Sequence, residues 1–95
     1  MKFRNTYTKL ERFFNAISSR KRIEVLNILL EKPNLSLGDI TKRINTEKQN
    51  ASLHTYKLLH QGLIAKRKHG TKVEHILTKR GKRVISFIKE IDKRI

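Results

Sequence analysis

The pattern most diagnostic of the fold lies between Leu35 and Leu77, where the chain reads LSLGDITKRINTEKQNASLHTYKLLHQGLIAKRKHGTKVEHIL. Ser36 and Asp39 have capping-box spacing, which predicts a short helix that ends near Ile44. Asn45 breaks this helix, and a longer one is predicted to follow it as far as residue 60. Two helices joined by a tight turn are typical of a helix-turn-helix unit.

A hairpin is predicted directly after the two helices. Its strands are Leu63–Lys68 and Lys72–Leu77, with His69-Gly70-Thr71 as the turn and Gly62 as the left-handed end of the preceding helix. Leu35–Leu37 is predicted to begin as a short strand. Two helices followed by a hairpin are the element order of a winged helix-turn-helix.

Further helices are predicted on both sides of this unit. The first starts near Thr6 to Thr8, the second runs from Arg20 to about Lys32, and the last is capped by Thr78 and runs to about Arg94. Two more capping boxes are predicted, at Thr8/Glu11 and Thr46/Gln49. The predicted inward-facing residues are Ile23, Leu26, Leu29, Leu30, Ile40, Ile44, Ala51, Thr55, Leu58 and Leu59.

The two terminal helices carry apolar seams with heptad-like spacing. We expect these seams to form a twofold dimer interface, which would place the two copies of the helix after Asn45 about 34 Å apart. The alternative is that both helices pack only within one subunit. The seam residues are Phe3, Tyr7, Leu10, Phe14 and Ile17 in the first helix and Val84, Ile88, Ile91 and Ile95 in the last.

The predicted fold class is therefore mainly α with a small β-hairpin wing (α+β). It is a single winged helix-turn-helix domain over residues 1–95, with N- and C-terminal dimerisation helices. We expect residues 1–18 to be the N-terminal dimer helix, residues 19–78 the winged core and residues 79–95 the C-terminal dimer helix.

The composition favours a polyanionic partner. Lys and Arg total 23 against 8 Asp and Glu, a formal net charge of +15. Such a field attracts nucleic acid first and anionic membrane second. The chain has no cysteine, which excludes disulfides and thiolate metal sites. No apolar run is long enough to span a bilayer and no signal-peptide core is present, so we expect a cytoplasmic, nucleoid-associated protein, or one in the host cytoplasm if viral.

Several motifs resemble the MarR and ArsR families of prokaryotic regulators. RKRIEVLNILL at Arg20–Leu30 and LSLGDITKRI at Leu35–Ile44 look like the opening helix and the first helix of the helix-turn-helix. SLHTYKLLHQGLI at Ser52–Ile64 is similar to the family pattern S-x-H-x-x-x-L-x-x-x-G-L-I. LTKRG at Leu77–Gly81 is similar to the L-T-x-x-G that follows the wing in MarR-like and PadR-like proteins.

The resemblance covers about Arg20 to Val84 and implies a DNA-binding transcription regulator. The chain departs from metal-sensing ArsR members, because it has neither their cysteines nor their carboxylate-histidine clusters. MarR members usually have longer terminal helices, and Leu53 stands where the family often has a polar residue. The short, basic, cysteine-free form resembles archaeal and archaeal-virus winged-helix proteins.

The helix after Asn45 is the predicted recognition helix. With Ala51, Thr55 and Leu58 turned inward, the opposite face meets the DNA. We expect four of its residues to approach bases: Gln49 and Asn50 as amides that read adenine, Leu53 against a thymine methyl, and His54. Phosphate contacts are expected from Lys48, Ser52, Tyr56 and Lys57. The alternative is an ordinary amphipathic helix with a solvated polar face.

The hairpin is predicted to touch phosphates or the adjacent minor groove. Alternation along the strand sends Lys66 and Lys68 to one side and Arg67 to the other. The alternative is charge that only discourages strand pairing. The predicted contact residues of the wing are Arg67, Lys68, His69, Gly70 and Lys72.

Two further groups of residues admit more than one interpretation. Arg20, Lys21 and Arg22 stand at a helix N-terminus, where the helix dipole disfavours cations, so they indicate either a flanking phosphate contact or a solvated cluster. The four histidines lack zinc-site spacing, and we expect them to face DNA or solvent. One of them could also make DNA binding depend on pH. They are His54, His60, His69 and His75.

The sequence thus predicts a homodimeric, sequence-specific regulator of double-stranded DNA, with no cofactor, metal or membrane partner and an effector left open. No nucleophile elbow, phosphate loop or metal triad is present, so an enzyme is not expected. The main alternative is an architectural or RNA-binding protein with little sequence preference, since phosphate contacts carry no sequence information. A protein-interaction domain is a third possibility that the charge argues against.

Overall fold

The computed structural model describes residue 4 and residues 6–95, so Phe3 of the predicted N-terminal seam lies outside the described residues. Within these residues the fold has five helices and one two-stranded antiparallel sheet, as predicted. None of the described helices is long and apolar enough to cross a membrane. The elements are α1 (Tyr7–Ile17), α2 (Arg20–Glu31), α3 (Leu37–Arg43), α4 (Lys48–His60), β1 (Ile64–His69), β2 (Lys72–Leu77) and α5 (Lys79–Asp92).

Side-chain caps start four of the five helices. The Ser36 hydroxyl accepts from the Asp39 amide at 3.1 Å and the Asp39 carboxylate accepts from the Ser36 amide at 3.2 Å, which confirms that capping box. The hydrogen bonds from Ser36 lower the pKa of the Asp39 carboxyl. The remaining side-chain caps are Thr6 for α1, Ser19 for α2 and Thr78 for α5.

The other two predicted capping boxes are wrong. Thr6, not Thr8, caps α1, because the helix already begins at Tyr7 and Thr8 lies within its first turn. Glu47 is the N-cap of α4 and makes no side-chain cap bond. Thr46 instead belongs to the preceding turn, where its amide donates to the Thr41 carbonyl at 3.2 Å.

The core lies where α2, α3, α4, α5 and the hairpin meet. In α2 the prediction is right for Leu26 and Leu29 but wrong for Leu30, which is 38% exposed, while Ile23 is only half-buried and Val25 is fully buried instead. The buried face of α2 is rotated from the predicted one because α2 packs against both α4 and α5. The core cluster comprises Val25, Leu26, Leu29, Leu35, Ile40, Ile44, Leu58, Leu63, Ile64, Leu77 and Ile85.

The strand predicted at Leu35–Leu37 is reduced to a single bridge between Leu35 and His75. It cannot continue, because Ser36 is already the cap of α3 and Leu37 is its first residue. The bridge nevertheless ties the start of the helix-turn-helix to β2, with the His75 amide donating to the Leu35 carbonyl at 2.7 Å.

The LTKRG motif joins the hairpin to α5. The Thr78 hydroxyl donates to the Gly62 carbonyl at 2.6 Å and accepts from the Gly81 amide at 3.0 Å. A Cβ at position 81 would lie 2.0 Å from the Leu63 carbonyl oxygen, so the backbones can approach this closely only with glycine there. Gly62 has φ 71°, as predicted for a left-handed helix end.

Candidate nucleic-acid interface

The turn between α3 and α4 sets the direction of the predicted recognition helix. Asn45 adopts φ 52°, a left-handed conformation that asparagine tolerates better than most residues. Its amide donates to the Lys42 carbonyl at 3.2 Å. The Lys21 ammonium of α2 donates to the Ile44 carbonyl and so satisfies the C-terminal end of α3.

The inward face of α4 is the predicted one. Ala51, Thr55 and Leu58 are buried, and Leu59 is half-buried against the core. The face that remains is polar and basic apart from Leu53, which is 50% exposed. Seven of the eight predicted contact residues are exposed on it: Lys48, Gln49, Asn50, Ser52, Leu53, Tyr56 and Lys57.

His54 is the residue that departs from this set, because it is half-buried against α2. Its Nδ1 lies 3.2 Å from Nη1 of Arg22, and since a guanidinium only donates, Nδ1 accepts. Burial lowers the pKa of His54, and the neighbouring Arg22, Lys57 and Lys21 lower it further. His54 therefore joins α4 to α2 as a neutral ring, a role that the sequence did not indicate.

Arg22 connects three helices. It is 8% exposed, and burial lowers the pKa of its guanidinium. Nε donates to the Ala16 carbonyl at 2.8 Å and Nη2 to the Asn15 carbonyl at 2.9 Å, at the C-terminal end of α1. A cation is favoured at that end by the helix dipole, so the guanidinium holds α1, α2 and α4 together.

The two interpretations of the basic cluster at the start of α2 did not include the contacts that two of its members make. Arg22 is buried and Lys21 is half-buried, and each donates to the C-terminal end of another helix, so neither is a freely solvated residue. Arg20 alone fits a solvated residue, with a side chain 91% exposed and 3.7 Å from Glu24.

The hairpin pairs its strands in a register that separates its cations. Lys68 pairs with Val73 and Lys66 with His75, so these lysines share one face. Arg67 pairs with Glu74 on the other face. All five predicted contact residues of the wing are exposed at or near its tip: Arg67, Lys68, His69, Gly70 and Lys72.

A groove of about 290 Å³ separates α4 from the hairpin, and we call it the helix–hairpin groove. It shows that the recognition helix and the wing are neighbours on one side of the molecule. Its lining residues are Leu37, Ser52, Thr55, Tyr56, Leu59, Lys66, Val73 and His75.

The three histidines other than His54 have different environments. His75 is 3% exposed, with Nδ1 3.0 Å from the Leu35 carbonyl, so the expectation that it faces DNA or solvent is wrong. His60 is exposed and stacks on Tyr56 at 5.9 Å between centroids, and His69 is exposed at the hairpin tip. Nowhere in the described part of the chain do three His, Cys, Asp or Glu residues come together as a metal site.

The terminal seams divide between the core and the surface. Ile17, Val84 and Ile88 pack against the core of their own subunit, and Leu10 is half-buried. The inward face of α1 also includes Phe13, whose ring lies 5.3 Å from the guanidinium carbon of Arg80. The exposed members of the predicted seams are Tyr7 (78%), Phe14 (55%), Ile91 (42%) and Ile95 (97%), and Phe87 (60%) joins them.

A helix-turn-helix with an exposed polar second helix, followed by a basic hairpin, defines the winged helix-turn-helix class of DNA-binding transcription regulators. The model of the MarR family matches residues 19–71, and the chain belongs to that family. No curated protein matches the sequence.

Solved structures share the fold at low sequence identity. Rv0081 of M. tuberculosis is 21% identical with a TM-score of 0.81, over 93% of this chain and 89% of that one. The homodimeric winged helix-turn-helix domain of Mb0332 from Mycobacterium bovis, a possible ArsR-family regulator, is 17% identical with a TM-score of 0.80, over 92% and 81%. MepR of S. aureus, solved as a DNA complex, is 16% identical with a TM-score of 0.76, over 88% and 72%.

Proposed function

We propose that this protein is a sequence-specific transcription regulator that binds double-stranded DNA as a homodimer. In this arrangement α4 enters the major groove and the hairpin reaches the adjacent backbone or minor groove. The observation that carries the proposal is the exposed face of α4, where Gln49, Asn50 and Leu53 stand beside a basic hairpin on the same side of the molecule. Membership of the MarR family and the fold shared with MepR, which was solved on DNA, support it.

The chemistry of the exposed residues of α4 indicates which of them contact bases and which contact phosphates. Gln49 and Asn50 present amides that can make paired hydrogen bonds to adenine, and Leu53 presents an apolar surface for a thymine methyl. Lys48 and Lys57 at the two ends of the exposed face supply cations for phosphates. His54 can approach a base only with the part of its ring that Arg22 leaves accessible.

The homodimer is supported by exposed apolar side chains on the terminal helices. Phe14 on α1 and Phe87 and Ile91 on α5 are 55%, 60% and 42% exposed. Large exposed apolar side chains are often covered by a protein contact. Residues 1–18 and 79–95 would then be the dimerisation helices that flank the winged core at 19–78. A monomer in sedimentation at micromolar concentration would contradict the dimer.

The proposal is tested by selecting genomic DNA fragments with the purified protein at about 150 mM salt, where nonspecific attraction is weak. We expect a palindromic motif with half-sites about one helical turn, ~34 Å, apart. Affinity for that motif should exceed affinity for scrambled DNA by at least ~1,000-fold. Fragments without a shared motif would contradict sequence-specific regulation and indicate an architectural role.

Base reading is tested by Asn50→Ala on the recovered duplex and on a scrambled one. Removing a paired amide contact should weaken cognate binding by roughly 5- to 150-fold and change scrambled binding little. Lys48→Ala is the matched control, since loss of a phosphate contact should weaken binding to both duplexes alike. An equal loss on both duplexes for Asn50→Ala would contradict its role in base reading.

A further inference from the structure

The helix–hairpin groove has the chemistry of an anion site. The exposed residues that line it include Ser52 and Tyr56 from α4 and Lys66 from β1, whose polar groups are two hydroxyls and an ammonium, and no carboxylate is found among the described residues that line it. The polar groups deeper in the groove are already engaged: His75 Nδ1 with the Leu35 carbonyl, and the Thr55 hydroxyl, which donates to the Ser52 carbonyl at 3.0 Å. The groups left to meet a ligand are therefore two hydroxyls and one cation.

The register of the hairpin explains why Lys66 borders this groove. Lys66 is the cross-strand partner of buried His75, and cross-strand partners lie on the same face of a sheet. That face packs toward α4, so Lys66 extends over the groove at the border of the core. Arg67 pairs with Glu74 on the opposite face. Lys66 was not among the contact residues predicted from the sequence.

The path of DNA across the protein indicates what the anion is. If α4 occupies the major groove and the hairpin tip occupies the next minor groove, the sugar–phosphate strand that separates the two grooves must cross between α4 and the hairpin. This step rests on the proposed function. The helix–hairpin groove lies where that strand would cross.

We propose that the helix–hairpin groove binds one backbone phosphate, held by the Lys66 ammonium and the hydroxyls of Ser52 and Tyr56. This contact carries no base information. It sets the distance between the major-groove contacts of α4 and the minor-groove contacts of the wing, because both elements hold the same phosphate. Lys66 is thus a positioning residue for DNA recognition.

The first test compares the salt dependence of duplex binding for Lys66→Ala and Lys89→Ala. Lys89 is an exposed lysine on the α2–α5 side of the molecule, so its removal corrects for the general loss of one charge. Lys66→Ala should lower the slope of log affinity against log salt by about 0.9 per subunit, about 1.8 for the homodimer, on cognate and scrambled duplex alike. Lys89→Ala should leave the slope nearly unchanged.

Two further variants remove hydroxyls without removing charge. Ser52→Ala and Tyr56→Phe should each weaken binding about 10- to 150-fold at unchanged slope, because each deletes one hydrogen bond to a charged oxygen. Tyr56→Phe keeps the ring that stacks on His60. Equal unfolding midpoints for all four variants and the wild type show that the affinities compare folded proteins.

The decisive test replaces each phosphate of the recovered half-site, one at a time, with an uncharged methylphosphonate. Wild-type binding should weaken most at one phosphate between the major-groove and minor-groove contacts, and Lys66→Ala should lose nothing further there. If the loss from Lys66→Ala and the loss from a methylphosphonate add at every position, the phosphate site is overturned while the proposed function stays intact. The same slope for Lys66→Ala and Lys89→Ala would have the same meaning. A wild-type protein that binds no duplex at low salt would overturn both.

Discussion

Two basic triplets of nearly identical composition have opposite roles in this molecule. Arg20-Lys21-Arg22 opens α2, and Lys66-Arg67-Lys68 lies in β1. In the α2 triplet two of the three cations turn inward to backbone carbonyls, while in the β1 triplet all three are exposed. The comparison teaches that a run of cations indicates a phosphate contact only when its side chains are not already bonded to carbonyls at the C-terminal ends of helices in the same fold.

The physical reason is the geometry around each triplet. The start of α2 lies beside the C-terminal ends of α1 and α3, where unpaired carbonyls and the negative end of the helix dipole favour a cation. The hairpin is a two-stranded ribbon whose outer part, residues 66–73, is exposed. Its cations therefore stay hydrated and available to a polyanion.

The largest expected effect is on Arg22. Arg22→Ala leaves the Asn15 and Ala16 carbonyls without their buried donor and should lower the free energy of unfolding by about 2–4 kcal/mol. Arg22→Lys should recover less than half of that loss, because an ammonium lacks the planar fork that reaches both carbonyls and His54. Urea unfolding at pH 7.5 measures the free energy of unfolding of both variants.

The matched control for Arg22 comes from the same triplet. Arg20→Ala removes an exposed ion pair with Glu24 and should cost less than about 0.5 kcal/mol. Equal losses for Arg20→Ala and Arg22→Ala would abolish the distinction between inward and outward members of the α2 triplet.

A smaller effect is expected for Lys21. Lys21→Met keeps the aliphatic stem but removes the donor to the Ile44 carbonyl, which should cost about 1–2 kcal/mol in unfolding free energy. The slope of log affinity against log salt should stay at the wild-type value. Lys68→Met should have the opposite effects: it should lower the slope by about 0.9 per subunit, about 1.8 for the homodimer, and leave the stability nearly unchanged. If Lys21→Met lowers the slope as much as Lys68→Met, the two triplets do not differ in role.

The smallest effect is a pH dependence at the contact between α2 and α4. Because the pKa of His54 lies below its ordinary value of 6.5, the unfolded chain binds this proton more readily than the native protein. The stability from neutral His54 is thus complete above about pH 6.5 and is lost as pH falls toward the lower folded-state pKa.

The variant that isolates this titration is His54→Gln, whose amide oxygen can still accept from Arg22 but cannot titrate. Urea midpoints measured from pH 7.5 to pH 5 should fall less steeply for His54→Gln than for the wild type. Parallel curves would show that His54 carries none of the dependence.

Local signals were sufficient for much of the fold. The Ser36/Asp39 capping box, the glycine after α4 and the alternation in the hairpin act through neighbours a few residues away, so they could be predicted from the sequence. The exposed face of α4 followed from the helical period once three inward residues were identified. The other two capping boxes were wrong because Thr6 and Thr8 both stand near the start of α1, and because α4 begins one residue later than a cap at Thr46 would require.

The candidate site was predicted less completely, because some of its residues depend on contacts far along the chain. Arg22 meets His54 across 32 positions and Lys21 meets Ile44 across 23, so no local pattern indicated either contact. The sequence alone does not distinguish Lys66 from the other cations of the strand. Only its pairing with buried His75 does so. Phe13 was not in the predicted N-terminal seam, and its inward position depends on packing against the core.

The sequence by itself determined the order of helices and strands, the turns between them, the polar face of α4 and the large excess of positive charge. These properties arise from backbone propensity, helical and strand periodicity and residue counts, all of which are local or additive. Only the tertiary structure decided which cations face inward and which face outward. The reason is that a charge is stabilised by whatever dipoles and carbonyls the fold brings to it, and those come from distant parts of the chain.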